Sequence, residues 1–260
     1  MPYGEVSGLP DLFAFELQDV SYHYRVGELS LQGINLKIRA GERVVLLGPN
    51  GGGKSTLQKI IAGLIFGEGK FTAYGRAITA EVMRDKDFAA AYRRKIGFVF
   101  QNSDVQLFCA TVLDEIMFGP LAMGMGYAEA RQRAQELLDF VGISALAERM
   151  PQHLSGGEKK KVAIAAVLAV NPDALILDEP TNGLDPKTQR WMITTLNALH
   201  RSGKTLLVAT HNLDLVPEIA DRVIVLGENH QMIVDGSPDR ILNDRALLLE
   251  ANLIDEYCPY

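Results

Sequence analysis

The sequence predicts an α/β fold built on a mainly parallel sheet, and three observations carry that prediction. Four short apolar runs, RVVLLG (43–48), IGFVFQ (96–101), ALILDE (174–179) and TLLVATH (205–211), are rich in Val, Ile and Leu without polar alternation. Strands of that kind are covered on both faces. Stretches of helical spacing lie between the runs, and strands that alternate with helices form a doubly wound sheet. Of the 260 residues, 47% are apolar and 22% charged, which is ample for a large core.

In chain order, the Gly/Pro-rich residues 1–12 read as a loose tail, leaving 13–260 as the folded domain. FELQDV and LQGINLKI read as short strands around the turn-like Val26-Gly27-Glu28. After RVVLLG, residues Leu57, Ile60, Ile61 and Leu64 keep i, i+3, i+4, i+7 spacing, a helix that Gly67 should stop. From about 103 to 161 the periodicity is helical, so this stretch reads as a helical insert. Within it Ala134, Leu137, Leu138 and Val141 repeat the spacing, with Gly142 at the C-terminal stop. Trp191 opens an amphipathic helix as a core residue, and VIVLGEN with QMIVDG suggests a late hairpin.

Composition also excludes functions. Acidic residues outnumber basic ones, 32 to 26, for a formal charge of −6. Nucleic-acid binding through a basic face needs the opposite balance. The longest apolar stretch, Val162 to Val170, spans nine residues, about half of what a bilayer-crossing helix requires. The start, MPYGEVSGLPDLFAF, lacks the charged and apolar regions of a secretory signal. Cys109 and Cys258 make no disulfide framework or zinc spacing and read as reduced thiols.

Residues 48–56 read Gly48-Pro49-Asn50-Gly51-Gly52-Gly53-Lys54-Ser55-Thr56, which satisfies G-x-x-x-x-G-K-[ST] between a buried strand and an amphipathic helix. Glycines let successive N–H groups curl into an anion nest, and the helix N-terminus adds positive potential. Lys54 can neutralise β/γ-phosphate charge, and the Ser55 hydroxyl can hold Mg²⁺. The expected ligand is a nucleoside triphosphate. ALILDE supplies the second half of such a site: Asp178 for Mg²⁺, and Glu179 to polarise an attacking water.

Leu154-Ser155-Gly156-Gly157-Glu158 lies between these halves. With them it resembles the signature of the ATP-binding-cassette (ABC) ATPase family, and the similarity runs from Phe13 to about Ala251. The resemblance implies a P-loop ATPase core with a mainly parallel sheet, an antiparallel β subdomain and the helical insert. It implies that Tyr24 stacks on adenine (Tyr22 competes for the role), that Gln101 is the Q-loop glutamine reaching Mg²⁺, that Gly183-Leu184-Asp185 is the D-loop, and that His211 is the switch histidine. Gly52, Ser103 and Asn212 depart from commoner family choices without removing a catalytic group. Ser155 with Glu158 forms a capping box, so a helix begins there. Lys159, Lys160 and Lys161 then crowd its first turn, where cations are unfavourable. An anion held by Ser155 and the Gly156 and Gly157 amides would relieve this. In the family that anion is the γ-phosphate of a second subunit, which implies a head-to-tail pair around two ATP.

Gln101 to Phe108, Thr111 to Pro120, Leu154 to Ala165 and Leu248 to Leu253 resemble energy-coupling-factor importers, with Gly48-Pro49-Asn50-Gly51 most like the cobalt/nickel type. That resemblance implies a homodimer on the cytoplasmic face of the membrane, under a transmembrane coupling protein and a substrate-binding membrane protein. No ligand cluster for Co²⁺ or Ni²⁺ stands out in the sequence. A vitamin importer ATPase and a soluble ATPase of iron–sulfur assembly are the alternatives. DNA-repair and translation ATPases need two cassettes or a coiled-coil insertion, which are not found here. Met117, Met123, Met125 and Met150 in the insert fit either core filling or a groove for a partner helix. His23, His153, His200 and His230 have no motif context.

Overall fold

In the computed structural model, residues 13–25 and 27–257 are described; the tail 1–12, Val26 and Cys258 lie outside the described residues. In chain order, β1 (Phe13–Arg25) and β2 (Glu28–Arg39) lead into β3 (Arg43–Leu47) and α1 (Lys54–Ile61). Next come β4 (Glu68–Ala73), β5 (Arg76–Ala77), α2 (Lys86–Lys95) and β6 (Ile96–Val99). Three helices follow: α3 (Val112–Ala122), α4 (Tyr127–Val141) and α5 (Gly156–Leu168). The chain returns through β7 (Ala174–Asp178), α6 (Pro186–Arg201), β8 (Thr205–Ala209), α7 (Val216–Ile219), β9 (Arg222–Leu226) and β10 (Met232–Gly236). It closes with α8 (Pro238–Leu242) and α9 (Arg245–Glu250).

Two sheets result. The larger has the order β10-β9-β3-β8-β7-β6. It is parallel except at the β9–β10 hairpin. Its middle strands bury both faces. In β7, Ala174 and Ile176 face one core while Leu175 and Leu177 face another. That is why these strands read as unbroken apolar runs. The smaller sheet, β2-β1-β4-β5, is antiparallel. Ile34, Leu36 and Ile38 of β2 are buried between exposed neighbours, as a sheet with one wet face requires. Helix α1 is packed between the two sheets, with Leu57 and Ile61 fully buried. Helices α3, α4 and α5 enclose a third core around Ile116, Leu138 and Val162. Between residues 103 and 161 the chain forms helices and turns and no strand.

Several sequence expectations change. α1 ends at Ile61, not at Gly67. Gly63 has φ +67°, a left-handed backbone that L residues rarely adopt, and a Cβ there would lie 2.9 Å from the Tyr92 ring. The helix must therefore stop before Leu64, which is 46% exposed although it fits the apolar period. Leu64→Ser should accordingly shift unfolding stability by no more than about 0.5 kcal/mol; a loss of core magnitude in urea titration would contradict this. Gly142 caps α4 at φ +70°, at the expected stop. Trp191 lies in the second turn of α6, partly buried between two cores, and does not begin the helix. The pair β4–β5 and helix α2 have no counterpart in the sequence reading. Among the described residues no helix is long and apolar enough to cross a membrane.

Candidate nucleotide site

The site lies beyond the C-terminal ends of β3, β7 and β8, where the chain leaves a parallel sheet and ligands collect. β3 runs into the glycine loop, and α1 begins at Lys54 with Gly53 as its N-cap at φ +100°. A Cβ on Gly53 would sit 2.5 Å from the Ser30 carbonyl oxygen. Only glycine allows that approach. A cavity of about 640 Å³ opens over the loop, lined by Tyr24, Asn50, Gly51, Gly53, Lys54, Ser55, Thr56, Gln101, Asp178, Glu179 and His211. Ser30 and Asn182 also line it; neither belongs to a motif singled out in the sequence. Gly48 and Gly52 shape the same loop from behind: Gly52 N–H donates to the Pro49 carbonyl at 3.1 Å.

Several of the polar groups here have defined partners. Lys54 is 7% exposed, and its ammonium donates to the carbonyls of Gly48 at 2.7 Å and Pro49 at 3.0 Å. Burial pushes its pKa down, while the Glu179 and Asp178 carboxylates pull it up. Ser55 Oγ donates to Asp178 Oδ2 at 2.7 Å. Burial raises the Asp178 carboxyl, and the Ser55 hydroxyl opposes that shift. Thr56 Oγ1 meets Ser30 Oγ at 2.8 Å and Tyr24 OH at 3.3 Å. Tyr24 lines the cavity and Tyr22 does not; Tyr22 packs edge-on against it, centroids 5.0 Å apart.

Glu179 is held by its backbone as well as its side chain. Its φ is +45°, a left-handed conformation costly for a non-glycine residue. Its N–H donates to the Ala209 carbonyl at 2.9 Å. Its Oε1 lies 2.9 Å from His211 Nδ1. The carboxylate thus sits beside the phosphate loop with an imidazole on its flank. The donor set fits both expected ligands. The glycine loop offers amides and an ammonium to phosphates. A hydroxyl and a carboxylate in contact, with the Gln101 amide at the same cavity, offer the hard oxygens that Mg²⁺ prefers.

Ser155, Gly156, Gly157 and Asp185 stand outside this cavity. Ser155 and Glu158 form the expected reciprocal capping box of α5. The Ser155 N–H and hydroxyl hold the Glu158 carboxyl below its ordinary pKa. Asp185 caps α6, accepting from the Lys187 and Thr188 amides and the Thr188 hydroxyl. The lysine cluster differs from expectation. Lys159 pairs with Asp104 at 2.6 Å, and Lys161 stands 4.9 Å over the Trp191 ring. Lys160 is buried and donates to the Phe100 and Gln101 carbonyls, and burial lowers its pKa to about 8. Each of the three cations thus has a partner within the chain.

A glycine cradle, a buried lysine and an Asp-Glu strand end beside a histidine define a P-loop nucleotide-binding domain. Comparison with known proteins narrows the class: residues 31–182 match the model of the ABC transporter family. A putative ABC transporter ATP-binding protein of Methanosarcina acetivorans is 48% identical, covering 94% of this chain and 90% of that one. The nickel import ATP-binding protein NikO of Rhodobacter capsulatus is 43% identical, covering 93% and 96%. The structure of cbiO1 from Clostridium perfringens, part of the ABC transporter complex cbiONQ, superposes with TM-score 0.80 at 34% identity, covering 94% and 96%. A dimeric ATP-binding cassette bound to ADP and Pi superposes at 0.78 with 32% identity, covering 86% and 98%. This chain belongs to the ABC transporter family and is one of its ATP-hydrolysing cassettes.

Proposed function

We propose that this cassette powers an energy-coupling-factor type importer, working at the cytoplasmic face of the membrane as a head-to-tail homodimer around two ATP. The cargo we propose is cobalt or nickel ions; the relative named a nickel import ATP-binding protein supports it. Tyr24 stacks on adenine. The amides of Gly48, Asn50, Gly51, Gly52 and Gly53, with Lys54 and Thr56, hold the phosphates. Ser55, Asp178 and Gln101 would hold Mg²⁺, which would supply neutralising charge to the phosphate oxygens. Glu179 orients a water toward the γ-phosphorus and takes its proton as the new P–O bond forms and the bond to the β-phosphate oxygen breaks. His211, already 2.9 Å from Glu179, keeps that carboxylate in register. Ser155, Gly156, Gly157 and Asp185, remote from their own cavity, complete the partner's site.

The observation that carries the transport reading is an apolar surface just after Gln101. Val105, Phe108, Phe118, Leu121 and Met123 are all exposed. The Phe108 and Phe118 rings contact edge-to-face at 4.9 Å. Clusters of exposed large apolar side chains mark interaction sites, and a short amphipathic helix of a membrane protein suits this one. Met117 belongs to the core and Met125 packs against it, whereas Met123 and Met150 are exposed. Tagged chain solubilised from membranes should recover a polytopic protein, and Phe118→Ser should reduce that recovery at least about tenfold. Recovery of iron–sulfur scaffold proteins alone would favour the soluble alternative. Uptake of radiolabelled Ni²⁺ or Co²⁺ against a vitamin by the purified complex in vesicles decides the cargo.

A further inference from the structure

Lys160 occupies an apolar-stripe position on α5, four residues before Ile164 and eight before Leu168. A lysine there is ordinarily turned out to solvent, yet this one is 3% exposed. Its ammonium donates to the Gln101 carbonyl at 2.8 Å and the Phe100 carbonyl at 3.0 Å. Both carbonyls lie just beyond β6, where the chain turns and the Gln101 side chain reaches the nucleotide cavity. The neighbouring lysines cannot replace it, because Lys159 is paired with Asp104 and Lys161 is on Trp191. Nearby, Gln106 takes the Phe100 N–H at 3.2 Å and donates to the Ala163 carbonyl at 3.4 Å. The segment 100–106 is thus fastened to α5 at several points, with Lys160 at the end nearest the cavity.

The same helix begins at Ser155, Gly156 and Gly157. In the proposed dimer those residues meet the partner's nucleotide, while Gln101 meets the chain's own. We propose that Lys160 is a positioning residue that locks Gln101 to the signature helix, so that one nucleotide site is set by engagement at the other. A charged donor shared by two carbonyls is a strong, directional tie, and its removal takes this partner from both acceptors. Helix and strand end then move as one body, and a shift of Ser155–Gly157 carries Gln101 with it. The inference rests on the ATP-sandwich reading above and adds the link between its two sites.

A double-mutant cycle on the purified full chain tests it. Lys160→Met keeps the stem and removes the donors. It should leave the Kd for Mg-ATP within about threefold and lower kcat at least about tenfold. Gln101→Ala should also lower kcat, and adding Lys160→Met to it should cost less than about threefold more, because Lys160 acts through Gln101. Lys160→Gln, which keeps N–H donors, should fall between wild type and Lys160→Met. Multiplying effects in the double mutant would overturn the link, as would an unchanged kcat for Lys160→Met beside a slow Gln101→Ala. Loss of kcat in step with a lowered melting temperature in both Lys160 variants would also overturn it, leaving a merely structural residue. A Gln101→Ala enzyme at wild-type rate would instead refute the role of Gln101 itself, and the link with it.

Discussion

Replacing Glu179 with Gln leaves ATP bound and slows its hydrolysis by about 10²- to 10⁴-fold, the usual effect of deleting a general base. The amide keeps the size of the carboxylate and can still contact His211, so the geometry around φ +45° survives. What disappears is the basic oxygen 2.9 Å from His211 Nδ1. Binding persists because Lys54, Ser55 and Asp178 are untouched. ATP that is not consumed then holds two chains together, Ser155 and Gly157 of one over the phosphate loop of the other. Gel filtration with Mg-ATP should show the variant as a stable dimer, while wild type returns to monomer as it hydrolyses. A variant that turns over at the wild-type rate and stays monomeric would remove both the role of Glu179 and the sandwich.

The phosphate half of this site is legible in the sequence because it is local. A buried strand, a glycine turn and an amphipathic helix follow one another without a gap, so residue type and spacing carry the geometry. The parallel strands are legible for a related reason: burial on both faces leaves no polar alternation to confuse them with edge strands. Long-range features leave no such trace. β5 is two exposed residues long and forms only against β4. The end of α1 depends on Gly63 meeting the Tyr92 ring, whereas periodicity alone carries the helix on to Leu64. Tyr22 and Tyr24 cannot be separated by alternation, because residues two apart in a strand share a face, and the register shifts of β1 between Tyr22 and His23 and again before Arg25 leave no mark in the sequence. Lys160 is the clearest case. Its acceptors stand some 60 positions upstream, and a lysine beside two others reads as a solvated face. The one signal available was its place on the stripe with Ile164 and Leu168, where a charge must find partners or leave.

Lys54→Ala should weaken Mg-ATP binding by about 10- to 100-fold, since hydrogen bonds to charged groups contribute about 1.5–3 kcal/mol each. The ammonium is drawn into the loop by the Gly48 and Pro49 carbonyls and by the nearby Asp178 and Glu179 charges. A buried cation thus lines the cavity where the β- and γ-phosphates are proposed to bind. Alanine removes the charge and leaves the glycine amides, so weak binding persists. Thermal melts report the same loss by linkage. At an ATP concentration about 100 times the wild-type Kd, nucleotide stabilises the wild type by about 2.7 kcal/mol. A 100-fold weaker variant at that concentration gains only about 0.4 kcal/mol, so its melting point should barely move with ATP. Equal ATP affinities by calorimetry at matched magnesium, or an equal ATP-dependent shift in melting point, would show that Lys54 does not face the phosphates.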